Sequence, residues 1–304
     1  MLSYLHSFHA GNHADLLKHA TLLYTIGYFN QKGKPYTIFD SHAGSGLYNL
    51  RSKESLKTKE AINGIETFIF RSNCLSEIPK SAKLFVDFME NFVKNDFYPG
   101  SPAIELLLKK EDCPLFLTEL HKGEFKKLNQ NISQLQEINS VLKSKVFIKN
   151  ISAWDFLKSN IPPQIKSGFL LCDPSYEELS DYENVKNNIS EISKKWNGAT
   201  ILLWYPLLSY RIEIIQNMKD EILKNVRKEN PHTEILDAQF LIDNENSHTE
   251  TDLASAIGSE KPRLYGSGMF VINPCWGLND FLEEFLNYAH HIIKADATYS
   301  VKML

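Results

Sequence analysis

Asp173-Pro174-Ser175-Tyr176 ends the apolar run of FLLCDPSYEE, residues 169–178. Asp, Pro and Ser are turn residues, so a strand followed by a turn explains the tetrapeptide taken alone. What adds chemistry is its company. A second apolar run, TIFD (37–40), ends on Asp40 and continues Ser41-His42-Ala43-Gly44-Ser45-Gly46. A third, LFLTEL (115–120), carries Glu119 near its end. Carboxylates and a glycine turn at the ends of buried strands are the parts of a ligand site.

The G-x-G turn lets backbone approach a ligand closely. It is not a nicotinamide dinucleotide fingerprint. The third glycine would fall near position 49, which is Asn49, and the acid precedes the glycines. A D-x-x-x-G-x-G turn suits S-adenosylmethionine (SAM), which has no pyrophosphate to hold. Glu119 is then placed to accept hydrogen bonds from a ribose diol. The Asp173 carboxylate and the Pro174 carbonyl suit the two N–H bonds of an exocyclic aromatic amine, a poor nucleophile because its lone pair is delocalised into the ring. Tyr176 is expected to stack on the base. Such a site works mainly by positioning and electrostatics.

These residues need a scaffold that brings strand ends to one edge. The remaining strand-like runs are KVFIKNI (145–151), GFLLCD (168–173), ATILLWYP (199–206), EILDAQFLI (234–242) and GMFVINP (268–274). Segments long enough for a helix, such as 124–142 and 181–195, separate most of them. Strand alternating with helix predicts a parallel sheet covered on both faces. Right-handed crossovers then collect the strand C-termini along one edge, where ligands bind. The last two runs are expected to form an antiparallel hairpin around a polar loop, NENSHTETDLASAIGSEKP. Residues 50–96 break the alternation with amphipathic helical spacing (Ile62, Ile65, Phe68, Ile69; Leu84, Phe85, Phe88, Phe92). The expected organisation is a SAM-binding α/β domain, 1–49 and 97–304, with a helical subdomain, 50–96, inserted.

Composition narrows the class. A chain of 304 residues, 43% hydrophobic and 23% charged, is globular. No apolar run reaches the ~18–20 residues of a membrane span, and histidines occupy the place of a signal peptide's apolar region. A cytoplasmic protein is expected, with no membrane partner. Cys74, Cys113, Cys172 and Cys275 form no C-x-x-C pair, and no metal site is expected. A net charge of −4 argues against a general polyanion binder and leaves room for a local basic surface. Arg51, Lys53, Lys57, Lys59 and Arg71 of the insertion read first as a solvated face, and beside a catalytic edge as RNA phosphate contacts. Trp204 reads equally as core and as a wall of the base pocket.

Six blocks in order carry a resemblance to a known family: "LSYLHSFHAGNHADLLKH", "FDSHAGSGLY", "YPGSP", "LTELH", "LLWYP" and "SGMFVINPCW". The chain resembles the RlmJ-type 23S ribosomal RNA adenine-N6 methyltransferases, class I SAM-dependent enzymes, over nearly its full length. The resemblance implies a Rossmann-like, mostly parallel seven-stranded sheet and methylation of an adenine N6 in 23S rRNA, as free RNA or an assembly intermediate, by a monomer. It places His19, His42, Ser101, Glu119 and Asp173 around SAM, with the turn glycines Gly44 and Gly46. Asp173 becomes the catalytic carboxylate, with Pro174 and Tyr176 beside it. Tyr4, His6 and Lys18 line the target-adenosine side. The N-terminal block also reads as a cap helix, Ala14 to Tyr24, packing Leu16, Leu17, Leu22 and Leu23. Two departures stand out. Ser175 replaces the second proline of the family's D-P-P-Y. Ser152 stands where the family has an acid for the SAM adenine amine, with Asp155 three residues on as a substitute. The rivals are a DNA adenine-N6 methyltransferase, which would want a larger base-reading domain, and a SAM- or RNA-binding protein with weakened catalysis.

Overall fold

The computed structural model describes residues 5–138, 145–243, 264–294 and 296–304. Tyr4 and the polar loop 244–262 lie outside the described residues.

The chain begins with a long helix, α1 (His13–Gln31), longer at its C-terminal end than the predicted cap helix. Asn12 starts it by accepting the N–H groups of Ala14 and Asp15 on its side chain. Leu16, Leu17, Leu22 and Leu23 are all buried, and so is most of the rest of the helix, because α1 is packed between the sheet and other helices.

The parallel strands are β1 (Thr37–Asp40), β4 (Leu115–Thr118), β5 (Val146–Lys149), β6 (Gly168–Cys172) and β7 (Thr200–Leu208). β1 and β6 are buried at every residue. Coverage on both faces is why they read as continuous apolar runs. β8 (Ile235–Leu241) and β9 (Leu264–Ile272) pair antiparallel, and β9 also pairs antiparallel with β7. An edge strand, β10 (Thr298–Met303), adds antiparallel to β8. Among the described residues the sheet therefore has eight strands, ordered β5-β4-β1-β6-β7-β9-β8-β10, where the sequence predicted seven. The eighth was missed because Thr298–Met303 is an edge strand with no buried residue and no apolar run. The first seven in that order are five parallel strands followed by the antiparallel β9 and β8.

Between two short paired strands, β2 (Leu47–Asn49) and β3 (Phe97–Pro99), lie the helices α2 (Lys53–Thr58), α3 (Thr67–Asn73) and α4 (Lys80–Lys94). α4 buries Ala82, Phe85, Val86 and Met89, the stripe of an amphipathic helix. Helices α5 (Ser101–Leu108), α6 (Lys122–Ile138), α7 (Ala153–Asn160), α8 (Leu179–Lys195), α9 (Ile212–Glu229) and α10 (Leu278–Ile293) complete the layers. The strand order reverses at β1, which lies between β4 and β6. Ligands bind at such a switch point, beyond the strands' C-terminal ends.

Candidate active site

Four parallel strands deliver side chains to that edge. His42 and Gly44 follow β1, Glu119 follows β4, Ser152 precedes α7 after β5, and Asp173 follows β6. All five line one cavity of about 310 Å³, together with His19 of α1, Ser101 of α5, Pro174 and Ser175. Gly44 adopts φ +59° and donates its N–H to Glu119 Oε2 at 2.9 Å. A Cβ there would collide with the Tyr48 hydroxyl. Gly46, at φ +74°, is not part of the cavity wall. A Cβ on it would meet Leu128 at 2.9 Å and Pro102 at 3.5 Å, so its task is to let the turn pack on α5 and α6.

On the SAM-facing side of the expected site, the Glu119 carboxylate is held by two backbone donors, Gly44 N–H and His121 N–H at 2.6 Å. Burial raises its pKa, against those two bonds. Asp40 sits behind the cavity, accepting Ser101 Oγ at 2.7 Å and His42 N–H at 3.2 Å. Burial pushes its carboxyl up to about 7 in spite of both. His19 is 1% exposed; burial lowers it to about 3, so the imidazole is neutral. Its Nδ1 pairs with the Tyr98 hydroxyl, and its Nε2 is buried with no partner. An orphaned ring nitrogen on a cavity-lining residue is what a polar ligand would satisfy. Ser152 lines the cavity. Asp155 is exposed and does not; Asp181 and Asn184 of α8 do.

A larger cavity, about 910 Å³, adjoins the first. His6, Lys18, Asp173 and Ser175 belong to both walls. Lys18 Nζ lies 2.6 Å from Asp173 Oδ2 and 2.8 Å from Asp15 Oδ1. His6 Nε2 stands 3.1 Å from Asp15 Oδ2, which also accepts Gly11 N–H at 2.8 Å. Burial opposes both charges, yet Asp15 and Asp173 hold the Lys18 pKa well above the usual lysine value, and Lys18 with His6 holds Asp15 well below the usual carboxylate range. The sequence reading passed over Asp15. Its signal was the Asp15–Lys18 spacing, three apart on one helix face.

The insertion anchors this cluster. Ile65 donates its N–H to the Gly11 carbonyl at 2.8 Å. Gly64 sits at a kink (φ −100°, ψ −106°), where a Cβ would strike that carbonyl. Glu60 accepts His9 Nδ1 and Asn12 Nδ2, each at 3.0 Å.

Tyr176 is 2% exposed, with φ +52°, and its hydroxyl donates to the Trp204 carbonyl at 2.9 Å. Arg211 binds the Tyr176 and Glu177 carbonyls at 2.7 and 3.0 Å. This clamp restrains the loop in which Ser175 replaces a proline. Trp204 and Pro206, within β7, line the larger cavity with Tyr176; the strand runs on to Leu208, past the tripeptide at which the apolar run was expected to end.

The family model described as "Ribosomal RNA large subunit methyltransferase D, RlmJ" matches residues 33–303. The chain is 33% identical over 293 residues to "Ribosomal RNA large subunit methyltransferase J" of Escherichia coli (strain K12), covering 95% of this chain and 93% of that one. It is 31% identical over 300 residues to the protein of the same name from Haemophilus influenzae, covering 99% and 97%. Among solved structures, protein LPL1258 from Legionella pneumophila str. Philadelphia 1 superposes with a TM-score of 0.76 at 22% identity, covering 97% of this chain and 98% of that one, and so shares the fold.

Proposed function

Since this chain belongs to the RlmJ family of ribosomal RNA large subunit methyltransferases, we propose that it transfers a methyl group from SAM to N6 of an adenine in 23S rRNA. The observation that carries the reading is the place of Asp173: one carboxylate walls both cavities, with room for a cofactor on one side and a nucleotide on the other.

The smaller cavity sits at the low end of the ~300–1,000 Å³ usual for ligand sites, and its donor set fits SAM. Glu119 faces the ribose, Ser152 and the α8 residues the adenine, and His19 the amino acid end. SAM supplies a methyl group made electrophilic by its sulfonium. The protein's part is to hold the amine. With Oδ2 taken by Lys18, Asp173 offers Oδ1, and Pro174 its carbonyl, to the two amine hydrogens. This turns the nitrogen lone pair out of conjugation with the ring. The buried Lys18, hydrogen-bonded to Oδ2, holds the Asp173 carboxylate aimed. Tyr176 supports the base pocket from within the protein, its hydroxyl fixed on Trp204. The target must be unpaired or flipped out to enter the larger cavity. His6 and Lys18 meet it there, while the basic residues of the insertion hold phosphates. The protein acts as a cytoplasmic monomer on free rRNA or an assembly intermediate.

Labelled SAM, offered with protein-free 23S rRNA, intact large subunits and DNA, tests this. Label recovered as N6-methyladenosine from 23S rRNA is expected. Label confined to DNA, or none at all, would overturn the reading.

A further inference from the structure

Cys172, the last residue of β6, pairs with Leu203 of β7, and Asp173 and Trp204 are the residues that follow this last registered pair. Both residues line the larger cavity. The Trp204 backbone is fixed by the Tyr176 hydroxyl, and the two rings lie 6.0 Å apart. The indole Nε1 is buried without a hydrogen-bond partner. By contrast, Trp196 donates its Nε1–H to the Lys166 carbonyl at 2.6 Å. An indole N–H can only donate, and a buried donor left unmet in a native fold calls for an explanation.

Resting on the reading above, we propose that Trp204 recognises the target base as adenine: its indole N–H donates to the ring nitrogen beside the amine, N1 or N7, while Asp173 and Pro174 accept the amine hydrogens. Two acceptors beside one donor match an adenine edge, which pairs an amine with a bare ring nitrogen. Guanine presents a carbonyl oxygen to the two acceptors instead. Trp204 is thus a specificity residue contributed by β7, and the register of β6 against β7 sets its distance from the catalytic carboxylate.

The test uses Trp204→Phe, which keeps an aromatic wall and removes the donor. The target nucleotide, mapped with the wild-type enzyme, is replaced in the RNA by 1-deazaadenosine or 7-deazaadenosine. Wild type is expected to lose about tenfold in kcat/KM, the scale of one hydrogen bond, with whichever analogue lacks the contacted nitrogen. Trp204→Phe is expected to show that tenfold loss with adenosine and none further with the same analogue. S-adenosylhomocysteine affinity, read by calorimetry, should be equal in both proteins. Normal activity of Trp204→Phe, or losses from variant and analogue that simply multiply, would overturn the proposal. Failure of wild type to methylate any RNA would instead remove the reading on which it rests.

Discussion

Lys18 Nζ meets Asp173 Oδ2 at 2.6 Å across 155 positions of chain, joining the first helix to the tip of β6. The lysine is 5% exposed and the aspartate 17%. A buried ion pair adds little net stability, but breaking one by removing a partner leaves a charge uncompensated. Here the second partner, Asp15, makes the pair tolerable. It holds Lys18 Nζ from a second side at 2.8 Å, so the lysine that meets Asp173 is itself fixed.

Asp15→Asn should therefore lower turnover at least tenfold while S-adenosylhomocysteine affinity stays within about twofold, because Asp15 lines only the larger cavity. Stability should fall by about 3 kcal/mol, the range for one side of a buried pair. Single-turnover methylation, calorimetry and urea unfolding read the three effects, with Asp173→Ala as the inactive reference. Wild-type turnover in Asp15→Asn would remove Asp15 from the positioning scheme.

Gly44→Ala should weaken cofactor-analogue binding, and the obstruction is protein, not ligand. The new Cβ meets the Tyr48 hydroxyl, and φ +59° strains any L side chain. Adding Tyr48→Phe to Gly44→Ala removes the obstructing oxygen and should recover part of the affinity. If calorimetry shows the double variant no better than the single one, the turn is limited by backbone strain alone.

Ser152→Asp should strengthen S-adenosylhomocysteine binding. Bonds to charged groups contribute ~1.5–3 kcal/mol against ~0.5–1.5 for neutral ones, and the difference of roughly 1 kcal/mol is about fivefold in affinity. Asp155, exposed and off the cavity, does not compete; Asp181 on the same wall does. The gain should grow when Asp181 is also Asn. No gain in either background would mean that Ser152 is not at the adenine end.

The contributions of His19 and His42 to stability should fall as pH drops below about 6.5. Burial holds His19 at about 3 and His42 at about 4. Unfolded histidines take up protons near 6.5, so between that pH and about 4 the unfolded state binds more protons and is favoured. Asp40, raised to about 7, acts the other way: it is protonated in the fold and ionised in the open chain, so its effect weakens stability as pH rises from about 4 to 7. His13, lowered by burial to about 4, acts with these two imidazoles, and Glu105 and Glu119, raised by burial, act with Asp40, so the histidine contribution is read as the difference between a variant and wild type. His42→Asn should flatten the urea-midpoint profile between pH 6.5 and 5. A profile as steep as wild type would place the acid lability elsewhere.

The amino-acid sequence by itself determined where the strands lie and what stands at their ends. TIFD and GFLLC are buried on both sides, so their apolar content is unbroken. Asp173, Glu119 and His42 follow such runs directly, because a parallel sheet offers its ligand edge where the runs stop. The same logic hid β10, whose residues are half wet. Only the tertiary structure decided which polar groups meet. Lys18 with Asp173, Gly11 with Ile65, and Tyr176 with the Trp204 carbonyl are contacts between distant segments. Helical and strand periods state which face of an element is apolar. The direction in which α1 crosses the sheet, and the one-residue register of β6 on β7, are set by packing the whole core at once.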